Sequence, residues 1–532
     1  MQKMLLLGDE AIGQAAVDAG LSGVYAYPGT PSTEITEYIQ GNKKAKQENI
    51  HCSWSANEKT AMEAALGMSY AGKRTMAVMK HVGLNVAADA FVNSAITGIN
   101  GGLVVVVADD PSMHSSQNEQ DSRFYGDFAM IPIMEPKNQQ ESYDMMFAAF
   151  DLSEKYKIPV LVRITTRIAH SRADIVVKKP LEQNQSSLPE DPRQFVLLPA
   201  IARKNYSKLV NAQAAYESAA AESEFNQYTD GKDKSKGIIV SGIANNYIDE
   251  VFGENLNYPT LRIGQYPLPA DMVKKVYNAC DTLYIIEEGY PFIEKQVRSI
   301  LGDDKVKGKL DGAVVRTGEL NPDEVTYTFG LKDKVEEETS DLLAGRPPVL
   351  CPGCGHIDVF EALNEVMADK GKGRVFADIG CYTLAALPPL NAINSCVDMG
   401  ASITMAKGAA DAGIKHSVAF IGDSTFTHSG MTGLLDCVIE KTPVTIIISD
   451  NSTTGMTGGQ KSHAEGRLFD ICRGLGVEKE HLRTFNPIRK NHQKAMDIIR
   501  EEVDYEGVSV IIPQRECVRT VERKIKLKKA KV

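Results

Sequence analysis

Short apolar runs alternate with amphipathic stretches along the first third of the chain. The apolar runs predict β-strands at Gly23–Tyr27, Thr75–Met79, Gly102–Ala108 and Val160–Arg163. Between them, apolar residues recur at helical spacing, as in Glu58–Ala71 and Ser142–Tyr156. Strands that alternate with helices are typical of a parallel α/β sheet. The N-terminal residues fit the same pattern as a first strand and helix.

The same alternation returns twice further along the chain. A smaller α/β segment is predicted from strands at Lys236–Val240, Thr260–Ile263 and Thr282–Glu287. A third α/β segment is predicted from strands at Val375–Ala377, Ser417–Ile421, Val444–Ser449 and Val508–Ile512. The pattern therefore indicates two larger parallel-sheet domains with a smaller α/β domain between them in sequence.

Composition changes along the chain mark the expected domain boundaries. We expect a first domain at 1–178, a polar connector with some helix at 179–235, a small domain at 236–335 and a third domain at 349–518. The Ala-rich stretch Asn211–Glu224 is the predicted helix of the connector, and a polar link at 335–340 precedes the third domain. The tail at 519–532 is strongly basic and has no sustained apolar face, which is typical of a solvated, disordered end.

Bulk composition excludes several classes of protein. A formal net charge of -10 argues against a general nucleic-acid binder. The sequence contains no run of about 18 apolar residues, so we expect no membrane span. The N-terminus lacks the pattern of an export signal, so we expect a cytoplasmic protein. Nine cysteines are then more consistent with reduced thiols or metal ligands than with disulfides.

Two predicted strands of the third segment end in residues that can bind a metal ion. Gly422-Asp423-Ser424 follows one strand, and Asp450-Asn451 follows the next. The carboxyl ends of parallel strands lie at one edge of a sheet, where ligands bind. A carboxylate, an amide oxygen and a backbone carbonyl, with phosphate oxygens and water, satisfy the octahedral preference of Mg²⁺. Gly-Asp or Asp-Asn alone could simply form a turn. Both pairs at the ends of predicted strands, with 28 positions from Asp423 to Asn451, favour a metal–diphosphate site.

Cysteine spacing points to a second kind of site in the same segment. The sequence Cys351-Pro352-Gly353-Cys354-Gly355-His356 opens the segment, and Cys381 and Cys517 each follow a predicted strand. A Cys-x-x-Cys pair alone is compatible with zinc, a redox pair or an iron–sulfur cluster. Four thiolates would satisfy a [4Fe–4S] cluster.

Longer motifs carry a resemblance to a known family. The stretches GDSTFTHSGMTGLLDCVIE, DNSTTGMTGGQ, YPGTPSTEITEYI, NEKTAMEAALGMSYAGKRTMAVMKHVGLNVAAD and VVVVADDPSMHSSQNEQDSRFY resemble the large subunit of indolepyruvate ferredoxin oxidoreductase. This family uses thiamine diphosphate to oxidise 2-oxo acids. The resemblance covers the first and third domains and is weaker in the middle. It implies a pyrimidine-binding domain, a transketolase-C-terminal-like domain and a diphosphate-binding domain.

The resemblance assigns roles to individual residues. Glu58 would bind the pyrimidine ring of the cofactor and activate it, with Glu63 as the alternative, and Thr30 would face the substrate. Asp423, Asn451 and the Thr453 carbonyl would hold Mg²⁺, with Gly422, Ser424 and Thr425 near the diphosphate. Cys351, Cys354, Cys381 and Cys517 would hold a [4Fe–4S] cluster beside the cofactor, with Cys396 as the rival for the fourth position. Lys80, His81, Asn85 and His114 are weaker candidates for the cleft.

An activity and a set of partners follow from the resemblance. We expect oxidative decarboxylation of an aryl or other bulky 2-oxo acid with coenzyme A, giving acyl-CoA and CO₂. The apolar Met456, where pyruvate-type relatives carry an amide, is compatible with a bulky substrate. A small gamma-type (beta) subunit is the expected partner, in an assembly of two copies of each chain.

The chain departs from the family in its electron path. It contains no ferredoxin-like Cys-x-x-Cys-x-x-Cys-x-x-x-Cys-Pro run, so electrons would pass directly to a separate ferredoxin or iron–sulfur subunit. The basic tail could attract an acidic ferredoxin through Arg519, Arg523, Lys524, Lys526, Lys528, Lys529 and Lys531.

Two other functions stay open at this point. A non-oxidative thiamine-diphosphate enzyme, either a decarboxylase or a carboligase, would contain no iron and would reduce no low-potential dye. A catalytically silent cofactor-binding subunit is disfavoured by the presence of Glu58, Asp423 and Asn451. Zinc at the cysteines is the alternative to the cluster.

Overall fold

The computed structural model describes residues 2–334, 340 and 342–529 and divides the chain into two compact units, Met1–Glu337 and Glu338–Val532. Apart from Ser340, the predicted polar link lies outside the described residues, as does Lys531 of the basic tail.

The strands of the first unit form two main sheets. They are β1 (Lys3–Leu7), β2 (Gly23–Ala26), β3 (His51–Trp54), β4 (Thr75–Lys80), β5 (Leu103–Asp109), β6 (Ile133–Met134), β7 (Val160–Thr165), β8 (Arg172–Val176), β9 (Gln227–Thr229), β10 (Lys236–Ser241), β11 (Thr260–Ile263), β12 (Gln265–Tyr266), β13 (Thr282–Ile286) and β14 (Val306–Lys307). The larger sheet has the order β12-β6-β7-β5-β4-β2-β3, and the smaller has the order β14-β13-β10-β11-β9. β1 pairs with β8 in a separate antiparallel ribbon.

Helices connect these strands and cover the sheets. They are α1 (Gly8–Asp18), α2 (Thr33–Gly41), α3 (Lys43–Gln47), α4 (Glu58–Tyr70), α5 (His81–Thr97), α6 (Arg123–Phe128), α7 (Gln139–Tyr156), α8 (Thr166–His170), α9 (Pro199–Ala221), α10 (Ala244–Phe252), α11 (Ala270–Asn278), α12 (Phe292–Leu301) and α13 (Pro322–Thr328). The Asn57 side chain caps α4 by accepting a hydrogen bond from the Thr60 amide at 2.9 Å.

The larger sheet is buried on both faces, as expected for a parallel α/β sheet. Successive side chains of β5 point to opposite faces, so Val105 and Val107 join one apolar core while Val104 and Val106 join the other. The first of these cores continues into the smaller sheet through Ile239. The two sheets of the first unit therefore share part of one hydrophobic core.

Two elements cross the boundaries that composition suggests. β9 lies within the expected connector but pairs antiparallel with β11 of the smaller sheet. β12 lies within the expected small domain but pairs with β6 at the edge of the larger sheet. A buried ionic network also links the two sheets, since Arg123 pairs with Asp121 at 2.5 Å and with Glu287 at 3.0 Å.

The second unit contains one main parallel sheet. Its strands are β15 (Val375–Ala377), β16 (Ser417–Gly422), β17 (Val444–Ser449), β18 (Thr453–Thr454), β19 (Gln460–Lys461), β20 (Leu482–Phe485) and β21 (Val508–Pro513). The order of the main sheet is β15-β16-β17-β21-β20, and β18 pairs with β19 in a short ribbon. The helices are α14 (Gly355–Met367), α15 (Ala401–Asp411), α16 (Asp423–Thr425), α17 (Met431–Glu440), α18 (Leu468–Gly474), α19 (His492–Val503) and α20 (Val518–Lys529).

The basic tail differs from its sequence-based expectation. A disordered end was expected, but Val518–Lys529 form the helix α20. None of its residues is buried, which agrees with the absence of an apolar face. Among the residues that the structure describes, no helix combines the length and apolar character needed to cross a membrane.

Candidate functional site

Adjacent strands β16 and β17 bring two acidic residues to one edge of the sheet in the second unit. Gly422 pairs with Ser449 at the ends of the strands, so Asp423 and Asp450 lie side by side just beyond them. Asp423 is 1% exposed, and its Oδ2 has no hydrogen-bond partner. Burial raises the pKa of Asp423 to about 7, and the charge of Asp450 adds to the shift. A cation at this position would compensate a buried carboxylate that is otherwise unfavourable.

The loop after β17 places the other expected metal and diphosphate residues beside Asp423. The amide oxygen of Asn451 accepts a hydrogen bond from the Thr453 backbone amide at 3.1 Å. The Ser424 and Thr454 hydroxyls are 2.8 Å apart, which joins α16 to β18. The Thr425 hydroxyl donates to the Ile379 carbonyl at 3.0 Å. Oxygen atoms of the kind that Mg²⁺ prefers therefore lie in the loop where the sequence predicts a Mg²⁺–diphosphate site.

His356 joins this loop to the cysteine motif and was not singled out from the sequence. Its Nδ1 lies 2.8 Å from the Ser449 hydroxyl, and its Nε2 lies 3.3 Å from the Asn451 amide nitrogen. Burial lowers the pKa of His356 to about 4, so the ring is neutral at pH 7. Since the Asn451 amide nitrogen only donates, Nε2 accepts and Nδ1 carries the proton. The sequence feature that could have identified His356 is its position two residues after the second cysteine of the motif.

The four expected cluster cysteines converge on one cavity of about 90 Å³. Cys351, Cys354, Cys381 and Cys517 line it together with Asn451. Burial raises the pKa of Cys381 to about 12, and the other three thiols add to the shift. The Cys517 backbone amide donates to the Asn451 carbonyl at 3.2 Å. The cavity therefore lies directly beside the candidate metal–diphosphate loop.

The spacing of the thiols can be compared with the spacing that zinc would require. Within the described ranges, no three of these sulfur atoms lie within 4.8 Å of one another. Tetrahedral Zn²⁺, with Zn–S bonds of about 2.3 Å, would hold sulfur atoms about 3.8 Å apart. A [4Fe–4S] cluster would bind each thiolate through a different iron atom, so its four sulfur ligands would lie farther apart than those of zinc. Cys396, the rival fourth ligand, is exposed. Partial burial of its thiol and the charge of Asp378 raise its pKa, a hydrogen bond with Thr383 lowers it, and no other thiol is among the causes.

Asp378 is a second buried acid that sequence reasoning did not find. It follows β15 and accepts hydrogen bonds from the hydroxyls of Ser402, at 2.6 Å, and Tyr382. Burial raises the pKa of Asp378 to about 6, against the effect of these hydrogen bonds. The Tyr382 ring packs on Gly422, where an added Cβ would lie 2.9 Å from a ring carbon. Asp378 therefore positions the segment that carries Cys381.

In the first unit, Glu58 lies at the start of α4 and is 4% exposed. Gly83 of α5 allows this burial, because a Cβ there would lie 2.5 Å from Glu58 Oε1. Glu63, the alternative base, forms an ion pair with Lys59 at the surface. Burial therefore singles out Glu58 rather than Glu63 as the carboxyl group held in a fixed environment.

Lys80 joins Glu58 to the turn that contains Thr30. The Lys80 side chain packs on Gly29, where an added Cβ would lie 3.2 Å from its Cγ. Burial lowers the pKa of Lys80, whereas the charges of Asp110 and Glu58 oppose this shift. The structure thus brings Glu58, Lys80 and the Thr30 turn into one region of the first unit.

The remaining weaker candidates occupy separate environments. His81 is buried, and its Nε2 lies 3.2 Å from the Asn118 carbonyl. Asn85 accepts a hydrogen bond from the Tyr125 hydroxyl at 2.6 Å. His114 is half-exposed and lies 3.3 Å from Glu319. His81 Nδ1 is buried without a hydrogen-bond partner, whereas His114 has a surface contact with Glu319.

Comparison with known proteins identifies the family. Residues 14–228 match the family model described as pyruvate flavodoxin/ferredoxin oxidoreductase, thiamine diphosphate-binding, and residues 378–511 match the thiamine pyrophosphate enzyme C-terminal TPP-binding domain. Indolepyruvate oxidoreductase subunit IorA of Archaeoglobus fulgidus is 38% identical over 97% of this chain and 86% of its own length. The Pyrococcus horikoshii IorA is 34% identical over the same shares. The chain belongs to the IorA family.

A solved structure agrees with the fold. The 2-oxoglutarate:ferredoxin oxidoreductase from Magnetococcus marinus matches with a TM-score of 0.51 and 16% identity, covering 62% of this chain and 65% of that chain. The predicted α/β fold, with two thiamine-diphosphate-binding-type domains and a smaller α/β domain, is confirmed. As a member of the IorA family, the chain is a thiamine-diphosphate-dependent 2-oxoacid oxidoreductase.

Residues of the second unit fit the thiamine diphosphate that the matched domains bind. The unpartnered, buried Asp423 Oδ2 fits a cation, and the neighbouring Asn451 supplies an amide oxygen. The absence of a side chain at Gly83 allows Glu58 to be buried against α5, and the same absence at Gly422 allows the Tyr382 ring to pack there. When bound, thiamine diphosphate supplies carbanion chemistry at the carbonyl carbon of a 2-oxo acid.

Proposed function

We propose that this IorA-family chain catalyses the coenzyme A-dependent oxidative decarboxylation of an aryl or other bulky 2-oxo acid. The bond between C1 and C2 of the acid breaks and releases CO₂, and a thioester C–S bond forms with coenzyme A. Two electrons leave to ferredoxin or to an iron–sulfur partner subunit, and the thiol proton is released. The electron acceptor is thus a required co-substrate.

The observation that carries this proposal is the position of the thiols. Cys351, Cys354, Cys381 and Cys517 share a cavity with Asn451, and the Cys517 amide hydrogen-bonds the Asn451 backbone. A [4Fe–4S] cluster held there would supply one-electron acceptance next to the cofactor. A non-oxidative decarboxylase has no use for four convergent thiols at this place.

Each remaining site residue has a proposed part. Glu58 holds a proton at the pyrimidine ring of the cofactor and so promotes its reactive form. Asp423, Asn451 and the Thr453 carbonyl hold Mg²⁺, and Ser424 and Thr425 hydrogen-bond the diphosphate. Thr30, on the turn that packs against Lys80, orients the substrate.

The preference for a bulky substrate rests on the turn after β18. Met456 is 56% exposed there, on a turn that begins at Gly455. A Cβ at Gly455 would lie 3.1 Å from the Cys381 sulfur, so this turn borders the thiol cavity. An apolar side chain on such a turn suits an apolar substrate side chain better than a small acid.

Anaerobic purification with metal analysis tests the proposal. We expect about four irons per chain and a broad visible absorption that bleaches on reduction. In a panel of 2-oxo acids, viologen reduction should require coenzyme A and should be fastest with aryl substrates. Glu58→Gln, which keeps the shape of the side chain, should retain the iron but lose turnover. A preparation that contains zinc, releases aldehyde and reduces no viologen would overturn the proposal in favour of a non-oxidative decarboxylase.

We also propose a hetero-oligomer with a small partner subunit, because the relatives are named as subunits of an oxidoreductase. The 2-oxoglutarate synthase subunit KorA of Methanothermobacter marburgensis, 26% identical over 36% of this chain, is likewise named as a subunit. Co-purification of the chain from its native cells, followed by mass measurement of the intact complex, tests this assembly.

A further inference from the structure

Three side chains of the first unit form a cluster away from Glu58 and the Thr30 turn. Asp9 lies in the first turn of α1, Glu34 in the first turn of α2, and His170 at the end of α8. One ligand atom from each lies within 4.8 Å of those of the other two. In the described part of the chain, no other group of three or more His, Cys, Asp or Glu side chains meets this spacing.

Buried oxygen atoms in this cluster lack hydrogen-bond donors. Asp9 is 0% exposed, and neither of its carboxylate oxygens has a hydrogen-bond partner. Glu34 Oε2 is also buried without a hydrogen-bond partner, and His170 Nε2 lies 3.7 Å from it. Two carboxylates that face each other with so few donors repel, so the cluster needs a proton or a cation between them.

Close packing of the backbone creates the cluster. Gly8 begins α1 directly against α8, and a Cβ at this position would lie 2.2 Å from the Ile168 carbonyl oxygen. The following Asp9 therefore points into the space bounded by α2 and α8. Burial and the charge of Glu34 raise the pKa of Asp9 well above its usual range, so a bare pair of charged carboxylates is unfavourable here despite the helix N-termini.

We propose that Asp9, Glu34 and His170 bind a divalent first-row transition-metal ion. An imidazole and two carboxylates suit Mn²⁺, Fe²⁺ or Zn²⁺, whereas the imidazole disfavours Mg²⁺ and Ca²⁺. The side chains of His170 and Glu34 are 36% and 38% exposed, so the cluster opens to solvent on one side. That side supplies an entry path and room for water ligands, while Asp9 forms the closed side.

Such an ion would connect the first helix to the substrate turn. Glu34 is four residues after Thr30 in sequence, at the start of the helix that the turn leads into. A metal bond from Glu34 to Asp9 and His170 would fix the start of α2 to α1 and α8. The ion is therefore a structural ion, distinct from the Mg²⁺ proposed at Asp423.

Manganese binding tests the proposal directly. We would titrate the metal-stripped, full-length chain with Mn²⁺ in the absence of thiamine diphosphate and count the free ion by electron paramagnetic resonance. The wild type should bind one more Mn²⁺ per chain than Asp9→Asn or His170→Ala. The thiols and Asp423 are present in all of these proteins, so the difference isolates the new site.

A matched control comes from another histidine–carboxylate pair. His492 lies 2.9 Å from Glu365 at the surface, without a third ligand, so His492→Ala should bind as much Mn²⁺ as the wild type. Saturating Mn²⁺ should also raise the unfolding temperature of the wild type more than that of His170→Ala. Equal binding by the wild type and His170→Ala would overturn the proposal and would show that Asp9 and Glu34 share a proton instead. Because His170 is partly exposed, its variant decides the question even where Asp9→Asn fails to fold.

Discussion

The buried carboxyl group of Asp423 makes the ligand-free chain sensitive to pH. Its pKa is raised from 3.8 to about 7 by burial. Between these values the unfolded chain has lost a proton that the folded chain retains, so stability falls as pH rises through this window. We expect Asp423→Asn to raise the unfolding free energy of the ligand-free chain at pH 8 by up to about 4 kcal/mol, with little change near pH 4. Chemical denaturation of both proteins at the two pH values measures this.

Ligand addition should reverse the order of stability. With Mg²⁺ and thiamine diphosphate, the wild type should gain stability at pH 8 and Asp423→Asn should not, because the variant lacks the charged metal ligand. Equal gains by both proteins would mean that Asp423 does not bind the metal.

Gly83 offers a test of Glu58 that leaves the carboxyl group in place. In Gly83→Ala, the new methyl group would lie 2.5 Å from Glu58 Oε1 and must displace it. A misplacement of about 1 Å can reduce turnover about 100-fold, so we expect a loss of that order in kcat. Gly67→Ala in α4 is the control, since no atom lies within 4 Å of the added Cβ. Full activity of Gly83→Ala would show that Glu58 needs no fixed position.

At the scale of elements, the cysteines come from three different places in the second unit. Cys351 and Cys354 precede α14, Cys381 follows β15, and Cys517 precedes α20. We expect Cys381→Ser to lose most of the bound iron, and Cys396→Ser to retain it, because Cys396 is exposed and outside the cavity. Iron and sulfide analysis of anaerobically prepared variants distinguishes the two outcomes. Loss of iron from Cys396→Ser alone would reverse the assignment of the fourth ligand.

Strands were the elements that sequence pattern predicted best. β11, β15 and β17 have the predicted bounds, because each is a short apolar run with polar residues or turns at its ends. β9 and β12 were missed, since runs of two or three residues contain too little periodicity to detect. The helix α20 was missed because its charged residues give no apolar face, and helix propensity alone is a weak signal.

The sequence predicted most residues of the candidate site, but not the strand pairing and hydrogen bonds that hold them together. The predicted juxtaposition of Asp423 and Asn451 depended on β16 and β17 being neighbours, which pattern alone could not establish and the pairing shows. His356 and Asp378 act through hydrogen bonds to residues that are distant in sequence. Such partners are set by tertiary packing, so a single sequence does not reveal them.

At the scale of the whole molecule, the basic helix α20 contrasts with the net charge of -10. It begins beside the thiol cavity, which Val518 and Arg519 also line. We expect replacement of Lys526, Lys528 and Lys529 by Gln to slow reduction of an acidic ferredoxin at low salt and to flatten its salt dependence. Reduction of a small viologen dye should not change.

Three exposed lysines elsewhere in the second unit provide the control for this experiment. Lys479, Lys490 and Lys494 carry the same total charge and lie outside α20 in the sequence. Their replacement by Gln should leave the salt dependence of ferredoxin reduction as in the wild type. The same flattening in both triple variants would mean that overall charge, rather than α20, attracts the electron acceptor.

The separation of the cysteines along the chain has a consequence for biogenesis. Cys351 and Cys517 line one cavity although they are 166 positions apart in the sequence. During translation, the first two thiols leave the ribosome long before the last one is made. The proposed cluster could therefore gain its fourth ligand only after residue 517 has been synthesised, and a message truncated before codon 517 would yield a product that lacks one of the four proposed ligands.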